Sequence, residues 1–393
     1  MSALPLIPLF FVDSQHQPSL LIAIPSYSSD QLLKDWRYAV KQDFTTSQGD
    51  PFPYAESGKQ QWDDEVKNIT FKKQPHIGAV SSDGKYLALG IDHAIHILGT
   101  RSWDTVAILR GHSNKIETLA FRTGRSDVLV SSEEQIVSSD DLSKGLLLKG
   151  HTDAIMWTGW SPGESVFASI SWDESIRIWD ATTGEQKYKF KTDGQNWAGA
   201  FSPDSSYFAA TDGPSNVWIY SIADGDQCWV YKGQRSDRWR RTLAWHPTNP
   251  WLVVGGERSG ELLLLDVSEK KLLQIRLFST AACPVDKESR DMMEDFLGTL
   301  EMRFFDGGNK LAVWTFGDWS IEVYDLKQEV KWRFARGGTE DGPNSGKWRN
   351  EQGKVTSKGG YEMLAWEDHS KGSLFLASID FDAVRLWEVP LTA

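Results

Sequence analysis

Three residue types that together can do nucleophilic chemistry lie close in the chain: His151, Ser169 or Ser171, and Asp173. A serine attacks when an imidazole takes its proton and a carboxylate orients that imidazole, and the hydroxyl must be exposed in a pocket. Metal chemistry finds less support. His93 and His96 are three apart in an expected strand, so they point to opposite faces, and His16, His76, His246 and His369 are scattered. Cys228 and Cys283 are 55 positions apart and make neither a disulfide framework nor a thiolate zinc site. No phosphate-binding glycine loop, dinucleotide fingerprint, HExxH, GxSxG or calcium loop is present. No cofactor or metal is expected, and the chain does not read as an enzyme.

A second kind of chemistry is recognition. The run QRSDRWRR sets Arg235, Arg238, Arg240 and Arg241 against a single Asp237, with Trp239 among them. Guanidinium forks pair with carboxylate or phosphate and stack on aromatic rings, so an acidic or phosphorylated peptide is the natural ligand; a solvated charge run is the plainer alternative. The whole chain is acidic, with 42 Lys and Arg, 54 Asp and Glu and a net charge of −12, which argues against nucleic acid as the general partner. Apolar residues make up 40% and charged residues 24%, the composition of an ordinary folded protein. The runs Ala3–Val12 and Leu20–Pro25 are too short to cross a bilayer, and no Lys or Arg precedes the first, so neither a membrane span nor a secretory signal is expected. The Asn68-Ile69-Thr70 tripeptide is read as an accident rather than a glycosylation site.

These residues must be positioned by a repeat. An apolar residue followed by a turn recurs at Val80, Phe121, Trp160, Phe201, Trp245, Phe304 and Trp366, at steps of 41, 39, 41, 44, 59 and 62. The end of a later strand recurs at Leu98, Ser139, Trp179, Tyr220, Leu265, Tyr324 and Trp387, at steps of 41, 40, 41, 45, 59 and 63. The two series run in step and define the same seven units. Within each, short stretches rich in Val, Ile, Phe, Tyr and Trp alternate with Ser-Pro, Asp-Gly, Thr-Gly and Gly-Gly, which predicts a four-stranded meander. One such sheet buries too little apolar surface to stand alone, so the sheets must stack, and seven arranged radially close a ring.

The unit GHTDAIMWTGWSPGESVFASISWDESIRIWDATTGEQKYKF, from Gly150 to Phe190, resembles a repeat of the WD-repeat β-propellers. The resemblance spans about residues 65–389. It is strong in the third unit and weak in the fifth to seventh, where Gly-His is missing and only Trp387 keeps the late tryptophan. It implies that His151, Ser169, Asp173 and Trp179 form a structural hydrogen-bonded tetrad, not a catalytic set. The fold expected is all-β, a seven-bladed β-propeller over residues 65–393. The chain stops one strand short of its last blade, and Val66–Phe71 is expected to supply that strand. Residues 1–64 form an N-terminal extension. Ser29–Phe44 within it carries Leu32, Leu33, Trp36, Val40 and Phe44 at helical spacing and predicts one short helix, and the two apolar runs before it predict a hairpin on a blade edge.

The function expected is a non-catalytic scaffold for a protein or an acidic or phosphorylated peptide, as a subunit of a larger complex in the cytoplasm or nucleus. Counting from the two landmarks places Lys115, Trp172, Trp239 and Arg258 on the propeller's top face, beside Arg238 and Arg240, and aromatic and Arg side chains dominate interface energetics. The widened steps locate two inserted loops on that face, 279–297 and 336–358, the second exposing Trp348. Five of the nineteen tryptophans, Trp160, Trp179, Trp245, Trp366 and Trp387, are core by register, and Trp197 is assigned to inter-blade packing. Exposed tryptophan also stacks on sugar rings, so a lectin-like carbohydrate binder is the competing expectation. No sugar pocket recurs from unit to unit.

Overall fold

The structure, a computed structural model, describes residues 9–14, 39–42, 44–61, 66–133, 145–233, 240–255, 261–279, 299–315, 321–335, 347–349, 355–357, 360–368, 373–380 and 383–389. It is all-β; the helical element among the described residues is a 3-10 turn at Asp306–Gly308. Four strands precede the repeats: β1 (Leu9–Ser14), β2 (Ala39–Gln42), β3 (Tyr54–Gln61) and β4 (Lys67–Thr70). The chain divides into two compact units, one of residues 1–20 and 71–239, the other of residues 21–70 and 240–393.

The first unit contains four sheets. The first is the meander β5 (Pro75–Val80), β6 (Tyr86–Ile91), β7 (Ala94–Gly99) and β8 (Thr105–Arg110). The second holds β9 (Ile116–Arg122), β10 (Arg125–Glu133) and β11 (Gly145–His151), with β1 set between β10 and β11. The third is β12 (Ile155–Trp160), β13 (Val166–Ser171), β14 (Ser175–Asp180) and β15 (Gln186–Lys191). The fourth is β16 (Asn196–Phe201), β17 (Tyr207–Asp212), β18 (Val217–Ser221) and β19 (Gln227–Tyr231).

Among the described residues the second unit contains three larger sheets and a two-stranded ribbon. The fifth sheet runs β20 (Thr242–Trp245), β21 (Trp251–Gly255), β22 (Leu262–Asp266) and β23 (Lys271–Ser279), with β2 added outside β23. The sixth runs β24 (Thr299–Phe305), β25 (Lys310–Thr315), β26 (Ile321–Asp325) and β27 (Val330–Ala335), with β3 outside β27. A two-stranded ribbon, β28 (Lys347–Arg349) with β29 (Val355–Ser357), lies within the second inserted loop. The seventh is β30 (Gly360–Asp368), β31 (Ser373–Asp380) and β32 (Ala383–Val389), and β4 completes it.

Within each unit the sheets follow one another as propeller blades do, their first strands side by side: β5, β9, β12 and β16 in one, β20, β24 and β30 in the other. The core lies between the faces of consecutive sheets. Val166, Ala168, Ile170, Ile176 and Ile178 of the third sheet pack on Phe201, Phe208, Ala210, Trp218 and Tyr220 of the fourth. A middle strand therefore has both faces covered, which is why β13 and β22 are buried along their whole length, whereas the outer strands β8 and β15 expose alternate residues. Trp160, Trp179, Trp245, Trp366 and Trp387 are all buried, as their register requires. Aspartates at the ends of third strands tighten the next turn: Asp180 Oδ1 accepts the Thr182 and Thr183 amides at 2.8 Å each, and Asp325 Oδ1 accepts those of Lys327 at 3.0 Å and Gln328 at 2.7 Å.

The N-terminal extension differs from expectation in two ways. No helix occurs among its described residues. Ala39–Gln42, the end of the segment read as helical, is strand β2, pairing Ala39 with Ser279 and Val40 with Phe278. The open edge of β23 offers main-chain partners, and Phe44 is anchored edge-on against Tyr324 with ring centroids 5.1 Å apart, a tertiary gain that outweighs weak helical periodicity. Residues 29–38 of that segment lie outside the described residues. The first apolar run does not add to a blade edge: β1 lies inside the second sheet, parallel to both neighbours. The second run, Leu20–Pro25, is outside the described residues. β4 lies where expected, antiparallel to β32, with Val384 opposite Ile69 and Arg385 opposite Asn68.

Candidate functional site

The Ser, His and Asp picked out by residue type do meet, at one end of the third sheet. His151 ends β11, Ser169 lies on β13, Asp173 follows in the β13–β14 turn and Trp179 is on β14. Gly150 enters His151 with φ of +155°, and a Cβ there would fall 2.4 Å from an Arg177 nitrogen, so the Gly-His pair needs its glycine. His151 Nδ1 lies 3.0 Å from Asp173 Oδ2, His151 Nε2 2.7 Å from Ser169 Oγ, and Trp179 Nε1 donates to Ser169 Oγ at 2.9 Å.

One protonation pattern satisfies every member. The imidazole donates from Nδ1 to the carboxylate, Ser169 donates its hydroxyl proton to Nε2, and the indole N–H donates to the serine oxygen. Burial holds the His151 pKa below its ordinary value, so the ring is neutral at pH 7. Burial alone would raise the Asp173 pKa, but the hydrogen bond and charge interaction with His151, and further bonds from Ser175 and the Thr152 amide, hold it well below the usual carboxylate range. Ser171 belongs to a different contact: it donates to the Asp153 carbonyl at 2.8 Å and accepts the Asp173 amide at 3.0 Å. The order Ser169–His151–Asp173 is that of a catalytic triad, yet Ser169 and His151 are both 0% exposed and the serine is held between His151 and Trp179. A buried network of this kind stiffens a sheet.

Polar links of the same sort join first strands of consecutive sheets in the first unit. Thr118 of β9 bonds Thr158 of β12 at 2.8 Å and Ser132 of β10 at 2.7 Å. His112 repeats the His151 contact in the second sheet, with Nε2 2.8 Å from Ser131 Oγ. His76 of β5 reaches the Ile116 carbonyl of β9 at 2.8 Å, and burial, reinforced by Lys115, lowers its pKa to about 4. In the fourth sheet Asp212, at the end of β17, accepts Trp218 Nε1 at 2.7 Å and Asn216 Nδ2 at 2.9 Å. Residue type alone did not reveal these contacts; of them only His112 with Ser131 repeats the positions of His151 and Ser169 in the neighbouring sheet.

Of the residues expected to bind a partner, the structure brings forward some and withdraws one. Trp172, in the β13–β14 turn, is half-buried, and its ring centroid is 5.7 Å from that of Trp197 at an interplanar angle of 40°. Trp197, assigned to inter-blade packing on sequence grounds, thus shares a half-exposed aromatic pair. Lys115 is exposed, with its ammonium 3.6 Å from Glu117. Arg240 is a correction: it is 6% exposed and its guanidinium pairs with Glu261 at 2.8 Å, so it does not present a charge to a ligand. Its neighbourhood is basic in sequence, but a buried guanidinium needs a carboxylate, which Glu261 provides from 21 residues away. Trp348 is on β28, where it pairs with Thr356. Trp239, Arg238 and Arg258, and the inserted loop from 280 to 297, lie outside the described residues. Among the described residues no three His, Cys, Asp or Glu side chains converge as metal ligands would, and no helix is long and apolar enough to cross a membrane.

Comparison with known proteins gives the same pattern. Residues 143–180, which hold the tetrad, match the family described as WD domain, G-beta repeat. The THO complex subunit 3 of Arabidopsis thaliana is 26% identical over 121 residues, 29% of this chain and 38% of that protein. A ribosome biogenesis protein WDR12 homolog of Oryza sativa subsp. japonica is 23% identical over 186 residues, 46% of this chain and 42% of that protein, and one of Anopheles gambiae is 25% identical over 160 residues. The chain spans about two fifths of the length of the curated relatives it matches.

Proposed function

We propose that the chain is a WD-repeat protein and a non-catalytic adaptor, which holds a protein partner at the end of the first unit carrying Trp172, Trp197 and Lys115. The observation that carries this reading is the fate of the Ser169–His151–Asp173 set: its hydroxyl is sealed and its bonds are used up in holding a sheet, so the chemistry legible in the sequence is spent on shape. What remains at that end is a half-exposed tryptophan pair and an exposed lysine, residues suited to recognition. Lys115 favours an acidic segment in the partner, and Arg240 drops out of that reading. Relatives described as a THO complex subunit and as ribosome biogenesis proteins support a place in a larger assembly, in the nucleus or cytoplasm.

The test is affinity purification with mass spectrometry on wild type and on a Trp172→Ala/Trp197→Ala double variant. Loss of the main co-purifying protein, with the far-ultraviolet spectrum unchanged, is the expected result. Equal recovery from both sinks the proposed face. A glycan array run with the same two proteins decides the carbohydrate reading, which requires a signal that disappears in the variant.

A further inference from the structure

The second sheet is completed in a way that none of the others is. In the first, third and fourth sheets the third strand comes from the repeat itself and runs antiparallel to both neighbours. In the second sheet that place belongs to β1, about 120 residues upstream of its neighbour β10. β1 is parallel to both walls: Leu9 to Val12 pair with Leu129 to Ser132 on one side, and with Gly145 to Leu148 on the other.

The polarity has a simple cause. A place between the second and fourth strands of a meander is bounded by two strands that run in the same direction, so a filler pairs with both whether it is antiparallel to the two, as in the other sheets, or parallel to the two, as β1 is. The walls themselves do not choose the direction, and main-chain hydrogen bonds of this kind do not depend on a particular side chain. They are also the inner part of a sheet: Leu129, Val130, Ser131 and Ser132 are buried, as is Leu148 on the opposite wall. An empty place would leave the inward N–H and C=O groups of β10 and β11 without ladder partners. The chain covers two other sheet edges with its own early strands, β2 on β23 and β3 on β27, but those lie outside four-stranded sheets, whereas β1 occupies an inner place of the second sheet.

We propose that the third place of the second sheet is an exchangeable strand site, whose resident is this chain's own Leu9–Ser14 and whose walls accept an extended apolar strand of that kind from outside. Recognition is by strand addition: the ladder supplies affinity on both sides, and the run Leu9-Phe10-Phe11-Val12 supplies the β-forming residues. The site is separate from the Trp172 and Trp197 pair and does not depend on the adaptor reading.

The test uses the full chain and a dye-labelled synthetic peptide of residues 5–16, PLIPLFFVDSQH. Phe11→Pro in the full chain removes a ladder N–H and clashes within a central strand, freeing the place; this variant is expected to take up the peptide on the order of tenfold more tightly than wild type, and a peptide carrying the same proline is expected not to bind. Failure of the peptide to bind a Phe11→Pro protein that retains the wild-type circular dichroism overturns the proposal. If that variant does not fold, a second arm decides. With Cys228→Ser and Cys283→Ser, the pair Phe10→Cys and Leu146→Cys, whose Cα atoms are register partners in the ladder, is oxidised. An intrachain disulfide that blocks peptide uptake until reduced is the supporting result. No disulfide, an exclusively interchain one, or undiminished uptake by the crosslinked chain overturns it.

Discussion

His76 offers the sharpest test of how the first unit is held together. Its Nε2–H donates to the Ile116 carbonyl at 2.8 Å, tying the first strand of one sheet to the first strand of the next, and the residue is 8% exposed. Desolvation is the main reason that its pKa falls from 6.5 to about 4, with Lys115 the second. Between those two values the unfolded chain takes up a proton that the folded chain refuses. Stability therefore rises with pH across this window; the contribution is complete above 6.5 and is lost as pH falls toward 4. Using ~1.4 kcal/mol per pH unit, acidification from pH 7.5 to 4.5 removes about 2.5 kcal/mol. Urea unfolding of wild type and His76→Gln at both pH values isolates this amount, because glutamine keeps an N–H donor but does not titrate, and every other group cancels in the double difference. Wild type should lose about 2.5 kcal/mol more than the variant on acidification. Parallel pH profiles for the two proteins, or a His76 ring resonance with a midpoint near 6.5, would refute the reasoning.

Two further outcomes follow from the polar contacts. Ser169→Ala strips the partner from both His151 Nε2 and the Trp179 indole N–H, each buried, and should lower stability by about 2–4 kcal/mol in thermal or urea melts; a change below about 0.5 kcal/mol would mean the tetrad does not hold the sheet. Arg240→Met should cost about 3 kcal/mol through the stranded Glu261 carboxylate, whereas Lys115→Met, at an exposed pair, should stay within about 0.5 kcal/mol; similar costs for the two would show that Arg240 is not buried in solution.

The tetrad was legible because the resemblance to WD repeats names its four positions, and His112 with Ser131 repeats two of them in the preceding sheet. Arg240 was misread for the opposite reason: a run of like charges in the chain says nothing of which guanidinium a distant carboxylate will claim, and Glu261 lies in the next strand pair. The extension was misread because Val40 and Phe44 fit a helical spacing as well as they fit a short strand ending in an anchored aromatic ring. The open edge of β23 and the ring of Tyr324 decide between the two, and neither is local.

Repetition at about 40 residues, strand-forming composition and turn punctuation determine that this chain makes consecutive meandering sheets and which residues face inward, since both follow from period and residue type alone. Which strand lies inside the second sheet was left to the tertiary structure. Main-chain hydrogen bonds are the same for every residue but proline, so an inner place of a sheet takes whichever segment chain connectivity and packing bring there: in the second sheet β1, parallel to both neighbours.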